Sequence, residues 1–256
     1  MRRPLLIAHS GFADTPPNSL ATIEAAKTAG ADGVEFDVQC SAEGAPVLSH
    51  DPRVVSSAGL ERNISALSST AIGAGAFMVP GIPDAPPALL EVIDGCHAAG
   101  LLLNLDVKDT RAFPAIRQAL RRARYAERTF VTGCGLDALA NLGRPIPEVS
   151  LLVNVDSEMA LDQIVHLGAQ GINIEHSLIT PELLTAARKR FLSVAVWTVN
   201  EPEELQRVVE LGVDSVTSNR PTRIRVEPSF RNSQGTGDRG RTPGPEKAER
   251  RACPGG

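Results

Sequence analysis

The sequence predicts a (β/α)8 TIM barrel with an inserted loop region after the second barrel strand, and three observations carry that prediction. Short runs rich in Val, Ile and Leu alternate with longer stretches of helical periodicity from residue 4 to 220, the pattern of repeated βα units around a parallel sheet. Eight such runs occur in roughly 220 residues, at about 25 to 30 residues per unit, which fits a closed barrel better than an open doubly wound sheet. No run is followed by a GxGxxG or GxxxxGK[ST] loop, so the nucleotide-binding alternatives lose their main support.

Taken in order, the predicted strands are 4–9, 33–39, 101–107, 129–133, 149–154, 171–175, 192–198 and 215–218. Between most of them lie amphipathic segments, 19–29, 111–122, 157–167, 181–190 and 202–211, with apolar residues at three- and four-residue steps. One unit is irregular. Residues 46–51 read as a short extra strand, and 52–87 form a proline-, serine- and glycine-rich excursion before a helix over 88–99. A connection that long inside a compact domain suggests a lid or a substrate collar. Residues 1–226 are expected to form the catalytic barrel. Residues 227–256, with six basic and four acidic groups and almost nothing apolar, are expected to be a disordered tail.

A formal charge of −4 over 256 residues offers no general attraction to nucleic acid or an anionic membrane. The hydrophobic share of 42% is ample for a core. Cys40, Cys96, Cys134 and Cys253 show no metal-ligand spacing and read as free thiols of a reducing cytoplasm. No run approaches the roughly 18 apolar residues of a membrane span, and no signal-peptide pattern precedes His9. The expected partner is a small molecule; the oligomeric state stays open.

In a (β/α)8 barrel the active site lies at the C-terminal ends of the strands, so polar residues that end apolar runs are the candidates. His9 ends the first run, Glu35 and Asp37 sit in the second, His50 and Asp51 end the short extra strand, and Asp106 and Lys108 end the run that begins at Leu101. Because side chains alternate across a strand, Glu35 and Asp37 share one face while Val34, Phe36 and Val38 occupy the other. Two adjacent carboxylates raise each other's cost of ionisation. Either a solvated strand end neutralised by Lys108 or an arginine relieves them, or a divalent cation does. With Asp106 supplying a third oxygen, an all-oxygen set favours Mg2+ or Ca2+ over zinc. Two histidines beside such a pair suit acid–base work near neutral pH. Lys108, on the same face as Asp106, can neutralise a phosphate oxygen. Trp197, the single tryptophan, either stacks on the alcohol part of a substrate or packs in a strand. Asn18 either orients His9 or caps the following helix.

The segments Ile7-Ala8-His9-Ser10-Gly11, Pro16-Pro17-Asn18-Ser19, Gly30 to Val38 and Val47-Leu48-Ser49-His50-Asp51 resemble the glycerophosphodiester phosphodiesterase family. Its pattern runs His-Arg-Gly, Pro-Glu-Asn-Thr, Gly-Ala-Asp-Gly-(apolar)-Glu-(apolar)-Asp-Val and His-Asp. Val196-Trp197-Thr198-Val199-Asn200 and the stretch from Gly212 to Pro221 resemble its closing motif. The resemblance implies a (β/α)8 barrel, a divalent metal on Glu35 and Asp37, acid–base catalysis by His9 and His50, and hydrolysis of glycerophosphodiesters to an alcohol and a phosphomonoester. The family's third metal ligand is a glutamate followed two residues later by lysine; here these are Asp106 and Lys108, and sphingomyelinase D-type enzymes are similar in using aspartate. Substrate contacts would fall to Lys108, Trp197 and Asn18. Ser10 replaces the family arginine and Pro17 its glutamate, so phosphate binding rests more heavily on the metal and Lys108. Two further readings stand beside this one. One is a weak or silent barrel that binds a phosphorylated ligand. The other is a lysophospholipase D-like enzyme with Phe77-Met78-Val79 as its lipid-docking surface.

Overall fold

A computed structural model describes residues 3–80, 82, 85–141 and 149–223. Cys253 and the tail expected after residue 226 lie outside the described residues. The chain begins with β1 (Leu5–Ala8), α1 (Leu20–Ala29), β2 (Gly33–Cys40) and β3 (Pro46–Leu48). The excursion then holds β4 (Arg53–Ser56), β5 (Glu61–Asn63), α2 (Ser69–Gly73) and β6 (Phe77–Met78). Regular alternation follows: α3 (Leu89–Ala99), β7 (Leu102–Val107), α4 (Phe113–Ala123), β8 (Thr129–Thr132), α5 (Leu136–Asn141), β9 (Ser150–Asn154), α6 (Leu161–His166), β10 (Gly171–Glu175), α7 (Pro181–Lys189), β11 (Ser193–Trp197), α8 (Pro202–Leu211) and β12 (Ser215–Ser218).

Eight parallel strands close on themselves in the order β1, β2, β7, β8, β9, β10, β11, β12, with β12 returning to β1. Each expected barrel strand is present within a residue or two of its expected ends. Hydrophobic burial drives the layering: Ile7, Val34, Phe36, Leu103, Leu105, Val153, Ile172, Ile174, Val194 and Val196 are fully buried, as strands covered by helices on the outside and side chains on the inside require. Gly33 lets β2 approach both neighbours, since a Cβ there would come within 2.8 Å of the Leu102 carbonyl and 2.9 Å of Ile7 Cδ1. Helix starts follow local chemistry. Thr180 accepts a bond from the Leu183 amide at the head of α7, where Pro181 occupies the first turn.

The insertion lies where the sequence placed it, but it is a folded unit rather than a bare loop. Strands β5, β4 and β6 form a three-stranded antiparallel sheet. Val54, Ile64, Ile72, Val79 and Ile82 bury against Val47 of β3 as a core of their own. Strands of two to four residues are too short to display alternation among so many turn-forming residues, which is why the sequence pattern hides them. Glu43 ties this unit to the β2–β3 turn by accepting from the Ser69 amide at 2.7 Å and its hydroxyl at 2.6 Å, and these bonds hold its carboxyl down at about 2. The Phe77-Met78-Val79 docking surface needs correction on the same ground. Val79 is buried, Phe77 packs on the small core, and of the three only Met78 is exposed. Helix α5 was not visible in the sequence either.

Candidate active site

Register brings the acidic groups together. In the parallel pairing of β2 with β7, Glu35 faces Asn104 and Asp37 faces Asp106, so the side chains of Asp37 and Asp106 emerge side by side near the C-terminal end of the barrel. Each of Glu35, Asp37 and Asp106 offers an oxygen within 4.8 Å of the others. Glu35 and Asp37 are buried. Lys108, two residues beyond Asp106 and on its face, places Nζ 2.6 Å from Asp106 Oδ2 and 3.0 Å from Asp37 Oδ1. Burial opposes its charge, yet the carboxylates of Asp106 and Asp37 outweigh burial and raise the Lys108 ammonium above its ordinary value.

One lysine does not satisfy three carboxylates. Glu35 Oε2 accepts the Ser10 amide at 3.0 Å, whereas Glu35 Oε1 is buried with no hydrogen-bond partner in the protein. Burial first, then the charges of Asp37 and Asp106, push the Glu35 carboxyl well above the usual range. An orphaned carboxylate oxygen inside such a cluster requires a proton or a cation, because leaving it charged and unpaired is costly. The donor set therefore fits a hard divalent cation held by Glu35, Asp37 and Asp106.

His9 follows β1, its amide donating to the Ser218 carbonyl at 2.9 Å, and its Nε2 lies 3.8 Å from Glu35 Oε2. Its Nδ1 is buried without a protein partner. Burial lowers the ring below the ordinary histidine value despite the nearby Asp37, which favours its neutral form. His50 reaches the same side of the mouth by a different route. β7 pairs with one edge of β2 from Gly33 to Val38, while β1 and β3 share the other, β1 at Gly33–Val34 and β3 at Val38–Cys40. β3 therefore continues above β1. The chain after it is pinned by Ser49 N to the Asp37 carbonyl at 3.2 Å and by Gln39 Nε2 to the His50 carbonyl at 2.8 Å. The His50 ring is 68% exposed, with Nδ1 at 3.1 Å from Asp51 Oδ1.

Asn18 is neither a helix cap nor a partner of His9. It is buried, adopts φ +55°, donates from Nδ2 to Asp37 Oδ2 at 3.2 Å and accepts the Asp37 amide at 2.8 Å. Asparagine tolerates that left-handed backbone, and its amide grips backbone and carboxylate of Asp37 at once. Ser10 completes this wall, its hydroxyl accepting the Asn18 amide at 2.5 Å. Sequence reading missed both roles because they depend on contacts across the β1–α1 loop. Trp197 ends β11 partly exposed, in register with Glu175 of β10. Glu175 itself turns to Ser177 and His176.

A (β/α)8 barrel that gathers three carboxylates, a lysine and a histidine at the C-terminal mouth is the frame of an enzyme. The model of the glycerophosphoryl diester phosphodiesterase family matches residues 9–74 and 104–223. The chain belongs to that family and is a phosphoric diester hydrolase. It is 25% identical over 231 residues to a glycerophosphodiester phosphodiesterase of Caldanaerobacter subterraneus subsp. tengcongensis, covering 86% of this chain and 95% of the relative. A glycerophosphodiester phosphodiesterase of Bacillus altitudinis is 24% identical, covering 85% of this chain and 95% of its own length. Among solved structures, an Oleispira antarctica phosphodiesterase in complex with the product sn-glycerol-3-phosphate shares the fold with a TM-score of 0.73 at 23% identity, covering 87% of this chain and 95% of that one.

Proposed function

We propose that the chain hydrolyses glycerophosphodiesters, with Glu35, Asp37 and Asp106 holding Mg2+ or Ca2+ and with His9 and His50 moving the protons. The observation that carries this reading is the partnerless Glu35 Oε1 among Asp37, Asp106 and a single lysine. When bound, the cation would neutralise the carboxylates and polarise a phosphoryl oxygen. Lys108, already within 3.0 Å of both aspartates, adds a second positive group for the phosphate. His9, whose neutral form burial favours, accepts the proton of the attacking oxygen. His50, with Nδ1 held by Asp51, retains Nε2 to protonate the departing alcohol. The products are an alcohol and a phosphomonoester. Kinship with the glycerophosphodiester phosphodiesterases supports the substrate class, and the Oleispira enzyme was seen with sn-glycerol-3-phosphate.

Residues 1–226 would carry this activity, with 227–256 as an appendage. No helix among the described residues is long and apolar enough to cross a membrane, and free thiols at Cys40, Cys96 and Cys134 support the cytoplasm as the working compartment. The test is turnover of a glycerophosphodiester panel with Mg2+ or Ca2+ added back after chelation. Activity that depends on the ion supports the reading, and undiminished turnover in chelator overturns its metal part. A silent barrel is favoured by one observation, that Ser10, standing where the family carries arginine, brings a neutral hydroxyl whose oxygen already accepts the Asn18 amide, and so no charged, bidentate phosphate contact. Failure to bind either ion at millimolar concentration would select that reading.

A further inference from the structure

We infer that Gly133 and Thr132, at the end of β8, are positioning residues that set the orientation of the Asp106 carboxylate and thereby the affinity of the site for its cation. The inference rests on the cation reading proposed above.

Gly133 follows β8 with φ +87°. A Cβ built there would collide with Asp106 Oδ1 and lie 2.6 Å from the Val107 carbonyl oxygen and 2.7 Å from the Val107 amide nitrogen. Asp106 can therefore lean as it does only because residue 133 has no side chain. Thr132, in register with Asp106, places its hydroxyl 3.5 Å from Asp106 Oδ1 and 3.0 Å from Asn104 Oδ1. The turn is also pinned from the neighbouring strand: the Gly133 amide donates to Asn154 Oδ1 at 3.3 Å, and Asn154 N donates to the Cys134 carbonyl at 2.9 Å. Each oxygen of Asp106 then has a fixed neighbour, Oδ1 against β8 and Oδ2 against Lys108 at 2.6 Å. Aspartate has a short side chain, so it meets its neighbours only when the carboxylate is aimed by its surroundings. Groups that orient a ligand in this way govern metal affinity without touching the ion.

The backbone strain of a residue at φ +87° can be separated from the loss of the seat, because Gly212 has the same φ of +87° and a Cβ there meets nothing within 4 Å. The experiment is calorimetric titration of Mg2+ and Ca2+ into the full chain and its variants, with metal-free melting recorded for each. Gly133→Ala should weaken binding roughly tenfold or more, while Gly212→Ala binds like the unaltered protein although it carries the same left-handed strain. Thr132→Val, which removes the hydroxyl and leaves the backbone in place, should weaken binding several-fold, and Thr132→Ser should restore it. Thr132→Val also keeps the test decisive should Gly133→Ala fail to fold. Unchanged affinity in Thr132→Val together with unchanged affinity in any folded Gly133→Ala overturns the inference alone. An equal loss in Gly212→Ala overturns it as well. An unaltered protein that binds neither ion overturns both this inference and the cation reading beneath it.

Discussion

The two halves of the barrel mouth are built on opposite chemistry. At the ends of β1, β2 and β7 stand His9, Glu35, Asp37, Asp106 and Lys108, a dense set of titratable groups in which Glu35 and Asp37 are buried and one carboxylate oxygen is left without a partner. Opposite them in the ring, β10 and β11 present Asn173, Glu175 and Trp197. There Asn173 donates to Asn154 at 2.9 Å and Glu175 caps its own turn. The far half makes its polar contacts within the protein, whereas the near half keeps Glu35 Oε1 without a partner, open to a proton or a cation. On the function proposed above, the phosphate would meet the near half and the alcohol, which asks for shape more than charge, the far half.

The comparison predicts effects that shrink from one half to the other. His9→Ala and His50→Ala should each lower kcat about 10^2- to 10^4-fold, the usual worth of a positioned acid or base, with melting temperature unchanged; near-normal rates in both would remove the acid–base assignment. With His9 held below its ordinary 6.5, the acid limb of kcat/KM should fall below that pH. Ile64→Ala, in the small core of the insertion, should cost about 2–5 kcal/mol of stability by denaturant unfolding. A much smaller cost would mean that the insertion's core contributes little to the fold.

The charge imbalance itself should be visible in pH-dependent stability. Burial raises the folded Glu35 carboxyl above the 4.5 it has in an unfolded chain. The folded state thus holds that proton more tightly. Its contribution to metal-free stability is complete below pH 4.5 and is lost as pH rises through the elevated folded value. Glu35→Gln should flatten that decline, and Mg2+ or Ca2+ should oppose it. A metal-free melting curve with the same slope in Glu35→Gln would break the account of the near half. The smallest effect belongs to the far half. Trp197→Leu should raise KM by about 3- to 10-fold, on the order of 1 kcal/mol, with little change in kcat, as loss of ground-state contact requires.

Much of this is legible in the sequence. The eight strands, the site of the insertion and the sharing of one face by Glu35 and Asp37 follow from periods of 2 and 3.6, which are local properties of the chain. The placement of Lys108 beside Asp106 follows from the same alternation, and the lysine meets only part of the simpler reading, pairing with Asp37 of the two β2 carboxylates and with Asp106. It leaves Glu35 unrelieved. Other features were illegible for identifiable reasons. The core of the insertion joins residues from Val47 to Ile82 through strands too short to show a period. Asn18 reads as a turn residue because nothing nearby in sequence reveals that its amide reaches Asp37, nineteen positions on.

The sequence therefore determined the barrel, the family and the identity of the charged groups at the mouth, because hydrophobic alternation and motif spacing are written along one dimension. Only the tertiary structure decided how those groups stand to one another. The β2–β7 register sets Asp37 beside Asp106, β3 carries His50 above β1, and Gly133, just past the next barrel strand, leaves room for the carboxylate of Asp106 far before it in sequence. Register and close approach are fixed by packing between distant segments, and burial, which turns Glu35 from a solvated acid into an unsatisfied one, exists only once the barrel has closed.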